Sequence, residues 1–386
     1  PATPVLGAGP EVALTASASR ADLATQNQDG GPVTSYGPAV ELDWLLLDRG
    51  GRSADAEDAR QALLAADWSH NATIQDVILA VQRTFVQYLN AKAQLDAARI
   101  SVRQGQAALD AATTRHDAGV ATIAEVLQAR TALSQFLLDE ATVAGQVLVL
   151  RGSLATAMGL PATTPYDVGT LPADVPLDTP TEAVERLIAV ANARRPDLLA
   201  ARAEVDRATA HIDAVRSDGL PTLGLSASAN RSYYEVGDVD FRNNWSARLL
   251  LSFPLFTGWA SSFNIQKAKE ELGTAQAQAA GLEQQVVLQV WTSHTALTTA
   301  AQLVRTSRDL LASAEQSERV ALGRYREGVG TIIDLLAAQS ALAAARAQEI
   351  QARSTWFAAL AQLARDTGAA AETLQAAAVT IEKREP

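Results

Sequence analysis

The sequence contains one long pattern twice. The segment RHDAGVATIAEVLQARTAL, from Arg115 to Leu133, returns as RYREGVGTIIDLLAAQSAL, from Arg324 to Leu342, 209 positions later. The same register relates apolar residues well before this block, since Val81 corresponds to Val290 and the tip residue Gly119 to Gly328. A repeat of this length exceeds any solenoid unit, so the sequence predicts two structurally equivalent halves.

Each half is expected to contain a long helical hairpin. The stretch from Ser53 to Ala118 has no Pro and a single Gly, and as one helix it would reach about 100 Å. Apolar residues recur every seven positions from Ile74 to Leu109, the spacing of a seam facing another helix. An isolated amphipathic surface helix fits this length poorly. A return helix follows each glycine turn, and the second outgoing helix is expected over Gln266–Glu327.

Short segments of alternating apolar residues predict four β-strands. They form two hairpins with long polar loops, and their bounds are Glu11–Arg20, Val40–Leu47, Thr222–Arg231 and Asn244–Phe256, with loops at Ala21–Tyr36 and Tyr233–Asn243. One face is apolar and the other small and polar, as in transmembrane β-barrels. A soluble antiparallel sheet would show a similar alternation. The repeat favours the barrel, and because four strands cannot close one, closure requires further copies of the chain.

The fold class expected is mainly α with β, with long antiparallel helical hairpins forming an α-barrel and four strands per protomer joining a shared β-barrel. Five prolines between Leu160 and Pro180 predict a separate side element, which Pro196–Ser217 follows as a helix. The domain division is as follows: 1–52, first β-hairpin; 53–159, first helical hairpin; 160–217, equatorial segment and connecting helix; 218–257, second β-hairpin; 258–368, second helical hairpin; 369–386, C-terminal tail.

Composition excludes several classes of function. The net charge of −11 and the dispersed basic residues argue against a nucleic-acid partner. No apolar run long enough for a transmembrane helix is evident. The four histidines are spread without the spacing of metal ligands, and no nucleophile triad or phosphate-binding loop is present, so neither an enzyme nor a metal or cofactor site is expected.

Several ordered motifs resemble the TolC-like outer-membrane efflux and secretion channels, also called outer membrane factors. These motifs are Arg195-Pro196-Asp197-Leu198, the strand-to-helix element Phe253-Pro254-Leu255-Phe256 with Gly258, and the two glycine turns. The resemblance implies a homotrimer with a 12-stranded barrel in the outer membrane of a Gram-negative bacterium and an α-barrel in the periplasm. It also implies a periplasmic adaptor protein, which would link the channel to an inner-membrane pump or ABC transporter. Efflux and type I protein secretion both remain open.

The resemblance places functional residues at the two turns. Ala118, Gly119 and Val120 and their counterparts Gly328, Val329 and Gly330 are expected to contact the adaptor, although turn formation alone explains the glycines.

Glu125, Asp334 and Tyr325 are expected at a periplasmic constriction that gates the channel. In a trimer the two acids would place six carboxylates near one narrow end. The alternative is that each acid merely stabilises a helix N-terminus. Gly330 and Ala337 stand where relatives carry a cation and a second acid, and His116 is the counterpart of Tyr325, which predicts a differently built closed state.

The rival interpretation is a soluble coiled-coil scaffold without transport activity, in which the alternating segments form a small sheet. The repeat also predicts a helix equivalent to Pro196–Ser217 ahead of Glu11, where only ten residues stand. We therefore expect the natural chain to begin earlier.

Overall fold

The computed structural model describes residues 9–22, 32–172, 174–176, 183–236 and 238–369. Within these ranges lie four strands and six helices. They are β1 (Glu11–Asp22), β2 (Pro32–Leu47), α1 (Gly51–Asp117), α2 (Ile123–Ala157), α3 (Val184–Arg194), α4 (Pro196–Ser217), β3 (Thr222–Val236), β4 (Asp238–Ser252), α5 (Ala260–Arg326) and α6 (Ile332–Asp366).

The duplication is visible in the helix lengths. The outgoing helices α1 and α5 each have 67 residues, and the returning helices α2 and α6 each have 35. Glycines with positive φ lie at equivalent positions, 74° at Gly119 and 77° at Gly328. Both outgoing helices and both turns are therefore where the repeat predicts them, although α5 begins six residues earlier than expected.

The four strands form one antiparallel sheet in the order β1-β2-β3-β4. The strands extend into the predicted loops, since Asp22 pairs with Pro32 and Val236 with Asp238. The predicted loop bounds were therefore wrong. Polar side chains do not prevent strand pairing, because the ladder is made by backbone groups. β4 in turn ends at Ser252, before Pro254, which has no N–H to donate.

The two faces of the sheet differ in chemistry. Cross-strand partners such as Leu42 and Ala227, or Leu225 and Leu249, share the apolar face. Much of this face is exposed, and Trp245 is 83% exposed. The opposite face carries serine pairs, for example Ser228 and Ser246, whose hydroxyls lie 2.9 Å apart.

Contacts divide the chain into two compact units. One comprises Pro1–Trp68 with Leu198–Leu282, and the other Ser69–Asp197 with Glu283–Pro386. Both α1 and α5 contribute to each unit. The six-part domain division made from the sequence therefore remains a prediction, and its C-terminal tail lies outside the described residues from 370 onward.

In the first unit, α4 packs beside the beginning of α1. Arg207 on α4 pairs with Asp58 at 3.3 Å, and the two helices border a polar groove of about 710 Å³. Asp55 lies nearby. Burial raises its pKa, and the carboxylates of Asp218, Asp58 and Asp48 raise it further.

In the second unit, the first hairpin packs through small residues. A Cβ added at Gly105 of α1 would lie 2.8 Å from the Phe136 ring of α2, so the two helices meet closely there. Between the same two helices, Nε of Arg99 on α1 lies 3.6 Å from Oε1 of Glu140 on α2. Of the predicted α1 seam, Tyr88 is fully buried, whereas Ile74 is 43% exposed. The seam prediction was thus only partly right for α1, because alanine, serine and glycine fill the closest contacts.

The proline-rich segment packs onto the helices of this unit. Leu171 is buried against α1 and α6, and Val175 against α5 and α6, while Pro180 lies outside the described residues. The short helix α3 was not predicted. At its end Arg195 is 2% exposed, binds Asp197 through Nε and Nη2, and donates from Nη1 to Gln289 at 2.7 Å. The Arg-Pro-Asp motif is therefore a buried ionic anchor.

Helix α2 bears on the expectation that the chain has no apolar run long enough for a transmembrane helix. Among the helices of the described residues it is the one long and apolar enough to cross a membrane by length and composition. Its apolar residues Leu137, Leu138, Leu148 and Val149 are exposed in the single chain. Large exposed apolar surfaces of this kind mark interaction sites.

Candidate functional site at the helical turns

The second unit contains a small core where all four long helices meet beside the turns. It is formed by Ala108 and Ala112 of α1, Val126 and Ala129 of α2, Tyr325 of α5, and Ile332 and Leu335 of α6. Alanine at the α1 positions lets the helices approach closely. This tip cluster brings the two halves of the repeat into contact.

Both turns are fixed by the same capping chemistry. Glu125 accepts a hydrogen bond from the Thr122 backbone N–H, and Asp334 accepts one from that of Thr331, each at 3.4 Å. An acid three residues into a helix that satisfies the N-cap N–H forms a capping box. The structural alternative considered for these acids, stabilisation of a helix N-terminus, is therefore supported for both.

Tyr325 links the two halves. Its ring is 1% exposed, and its hydroxyl donates to Oε2 of Glu125 at 3.3 Å. Burial raises the pKa of this phenol, and the Glu125 carboxylate raises it further. The hydroxyl therefore stays protonated at neutral pH and remains a donor. Glu125 thus caps its own helix and also accepts a hydrogen bond from the second hairpin.

Arg115 completes this arrangement. Its Nη1 donates to the Tyr325 carbonyl oxygen at 3.0 Å, and its guanidinium lies 5.0 Å from the centre of the Tyr325 ring. We call Arg115, Glu125 and Tyr325 the tip lock. The sequence interpretation missed Arg115, although an arginine occupies this position in both copies of the repeat.

The repeat-equivalent residues are arranged differently. His116, the counterpart of Tyr325, has its Nδ1 3.0 Å from the Ala121 carbonyl within its own turn. Asp334 is exposed, whereas Glu125 is half-buried. The two acids that the repeat predicts as equals thus occupy different environments, because a tyrosine that reaches across stands in only one half.

Asp334 borders a groove between α5 and α6. The groove has a volume of about 580 Å³ and also contains Arg324, Gly330 and Ala337. A Cβ on Gly330 would lie 3.0 Å from the Arg324 side chain, so a larger residue there would press on Arg324. At the turns Val120 is 64% and Val329 69% exposed. These two valines are exposed apolar side chains at the ends of the hairpins.

The described residues contain no group of three or more His, Asp or Glu side chains placed to hold a metal ion.

Comparison with known proteins agrees with this fold. The sequence profile of the family described as outer membrane efflux protein matches residues 7–160 and 187–369. The chain belongs to the outer membrane efflux protein family.

Individual relatives support the same assignment. Protein CyaE of Bordetella pertussis is 30% identical over 88% of this chain and 72% of its own length. Outer membrane protein OprJ of Pseudomonas aeruginosa is 26% identical over 83% of this chain and 67% of its own. The CmeC outer membrane channel of Campylobacter jejuni superposes with a TM-score of 0.79 at 16% identity, covering 95% of this chain and 81% of that structure.

Family membership establishes the general role. The protein is an outer-membrane channel of the class that serves tripartite efflux pumps and secretion systems, and it resides in the outer membrane of a Gram-negative bacterium. The soluble coiled-coil scaffold finds no support in these comparisons.

Proposed function

We propose that three copies of this chain form one passive exit duct, gated at the helical turns by a periplasmic adaptor protein. The observation that carries the proposal is the sheet. Within the described residues its outer strands β1 and β4 each pair on one side only, and its apolar face is exposed. An open edge in lipid leaves backbone donors and acceptors unsatisfied at several kcal/mol each. Closure of twelve strands from three protomers removes those edges.

The tip lock is proposed to hold the closed state. A contact between Glu125 and Tyr325 ties the first hairpin to the second within a protomer, so outward movement of either hairpin must break it. Adaptor binding to the exposed turns at Ala118, Gly119 and Val120 and at Gly328, Val329 and Gly330 would favour the separated state. A ligand shifts such an equilibrium by its differential affinity for the two states.

Asp334 is proposed as the acid that sets ion selectivity. It is exposed at the groove, whereas Glu125 is engaged by Tyr325. Three copies of an exposed carboxylate near a constriction would attract cations and repel anions. The chain itself is not expected to catalyse a reaction or to need a cofactor, and energy would come from an inner-membrane pump or ABC transporter reached through the adaptor.

The substrate depends on that inner-membrane partner. Among relatives, one is named a toluene efflux pump outer membrane protein and another a pyoverdine export outer membrane protein. Drug or metabolite efflux and type I protein secretion are both consistent with a water-filled duct. Chemical crosslinking in cells followed by purification of this chain would identify the adaptor and so decide between them.

Conductance in planar bilayers tests the duct directly. Detergent-purified protein should be trimeric and should insert to give cation-preferring channels. Asp334→Lys should lower that preference, and Asp139→Lys, an exposed acid on α2, is a control expected to leave it unchanged. A monodisperse monomer that needs no detergent would refute the duct. Well-folded trimers with unchanged selectivity after Asp334→Lys would refute only the role of this acid.

A further inference from the structure

The apolar face of the sheet carries basic side chains. Among the residues of this face whose side chains the structure describes, the charged ones are Arg20 and Arg231, and both are exposed. In a transmembrane barrel this face contacts lipid. A charge on the lipid face is destabilising near the middle of the bilayer and tolerated near its interfaces. Their position along the strands therefore decides what they meet.

Arg231 lies at the outer margin of the apolar band. The helices join the strands at the opposite end, next to Leu47, Thr222 and Ser252. Arg231 is eight residues from Leu223, and at about 3.3 Å per residue with a tilt of about 40° it stands about 20 Å along a band of about 25 Å. With the helices in the periplasm, this margin faces the outer leaflet.

An aromatic row at this level supports its placement at the interface. The rings of Tyr36 and Tyr233 stack with their centres 5.5 Å apart. The ring of Phe241 lies on the other side of Tyr233, with the two ring centres 6.3 Å apart. Aromatic residues gather at the membrane interfaces of β-barrels. Arg231 is thus placed where lipid head groups begin.

The guanidinium of Arg231 is held in position. Its Nε donates to Oδ1 of Asn243 at 2.8 Å, and its central carbon lies 5.1 Å from the centre of the Phe241 ring. Within the described residues these contacts leave the two terminal nitrogens available. A planar pair of N–H donors matches a phosphate group in a two-pronged contact.

The backbone beside Arg231 is also unusual. A Cβ at Gly37 would lie 1.8 Å from the Arg231 carbonyl oxygen, so glycine is required for this approach of β2. Pro38 follows and has no N–H to donate. A shallow groove of about 340 Å³ lies there, lined among others by Pro38, Val40, Ala229 and Trp245. An acyl chain is the kind of group that an apolar groove in lipid accommodates.

We propose that Arg231, Asn243, Phe241 and Trp245 form a binding site for a phosphorylated glycolipid of the lipid A class in the outer leaflet. The guanidinium binds a phosphate, and the groove beside Trp245 receives part of an acyl chain. Charge complementarity favours a phosphorylated occupant, because Arg231 is the charged side chain among the described residues that line this groove. The proposal rests on the orientation of the barrel stated under the proposed function.

Native mass spectrometry of the full trimer, titrated with bisphosphorylated lipid A, tests the site. Arg231→Gln should weaken lipid A binding about tenfold, as expected for loss of a charge-assisted contact, and Arg231→Lys should weaken it less. Arg248→Gln is the matched control, because Arg248 is an exposed arginine of the same sheet on its polar face. It should change binding by less than about twofold.

Three results would overturn the proposal. One is equal loss of binding in Arg231→Gln and Arg248→Gln, and another is equal affinity for dephosphorylated lipid A or for phosphatidylglycerol. The third is competition by inorganic phosphate alone at low concentration, which would indicate a simple anion site. Bilayer conductance of Arg231→Gln, measured in parallel, should match the unsubstituted protein. Failure of the duct would instead abolish conductance in both, so the two hypotheses fail separately.

Discussion

Replacing Tyr325 with phenylalanine removes one contact of the tip lock and little else. The ring remains in its buried site and beneath the Arg115 guanidinium, so the fold should be retained, while the hydrogen bond to Glu125 is lost. A hydrogen bond to a charged group contributes about 1.5–3 kcal/mol. At 3.3 Å this one is longer than the usual O–H···O distance, so we expect about 1 kcal/mol per protomer.

That energy sets the size of the effect on gating. If the protomers open independently, Tyr325→Phe should raise the population of each open tip about fivefold. If they open together, the three contributions add to about 3 kcal/mol and the open state gains about 150-fold. Single-channel recording of open probability in planar bilayers measures either value and separates the two cases.

His116→Phe is the matched control for this experiment. It alters the repeat-equivalent position, where the side chain bonds within its own turn and not to Glu125, so open probability should change little. Unchanged gating in Tyr325→Phe trimers of normal heat stability would refute the lock. So would an equal or larger rise in His116→Phe.

Three further predictions concern stability. Gly105→Ala should destabilise the folded protein by about 1–3 kcal/mol, because its Cβ would press on Phe136. Gly145→Ala has nothing within 4 Å of the new Cβ and should stabilise the helix by about 0.5–1 kcal/mol. Thermal unfolding of both variants checks the contrast, and equal effects would contradict it. Asp55→Asn should stabilise the protein at pH 8, and the gain should shrink as the pH falls through the raised pKa of Asp55 towards the ordinary aspartate value, because the charged form is disfavoured in the folded state; a pH-independent shift in Tm would argue against this. Arg195→Ala should cost about 1.5–3 kcal/mol and lower the Tm of the trimer, because it removes the buried guanidinium that bonds Asp197 and Gln289, and a change within error would show that the anchor is not needed.

The tip shows how far sequence patterns reach. The turns, their glycines and the acids Glu125 and Asp334 follow from a repeat and from capping rules that involve neighbours in the chain. The contact of Arg115 with Tyr325 joins residues 210 positions apart, and no local pattern encodes it. The repeat even suggests that the two acids are alike, whereas the structure distinguishes them, because only Tyr325 reaches across to an acid.

The strands show a similar division. Alternation identified all four strands and their apolar face, but it ended β1 and β3 too early and began β2 and β4 too late, because polar residues there do not alternate with apolar ones. It also ended β4 too late, at Phe256 and not at Ser252. Their pairing beyond Arg20 and Arg231 depends on backbone hydrogen bonds to partners that local composition does not reveal.

The sequence by itself determined the duplication, the helix lengths and the existence of an apolar sheet face, because these follow from periodicity along one chain. Only the tertiary structure decided which side chains meet between the halves, including the tip lock and the setting of Arg231 beside Asn243 and Phe241. Contacts between distant segments depend on how helices and strands pack in three dimensions, and side chains of the same type in equivalent positions can then acquire different partners.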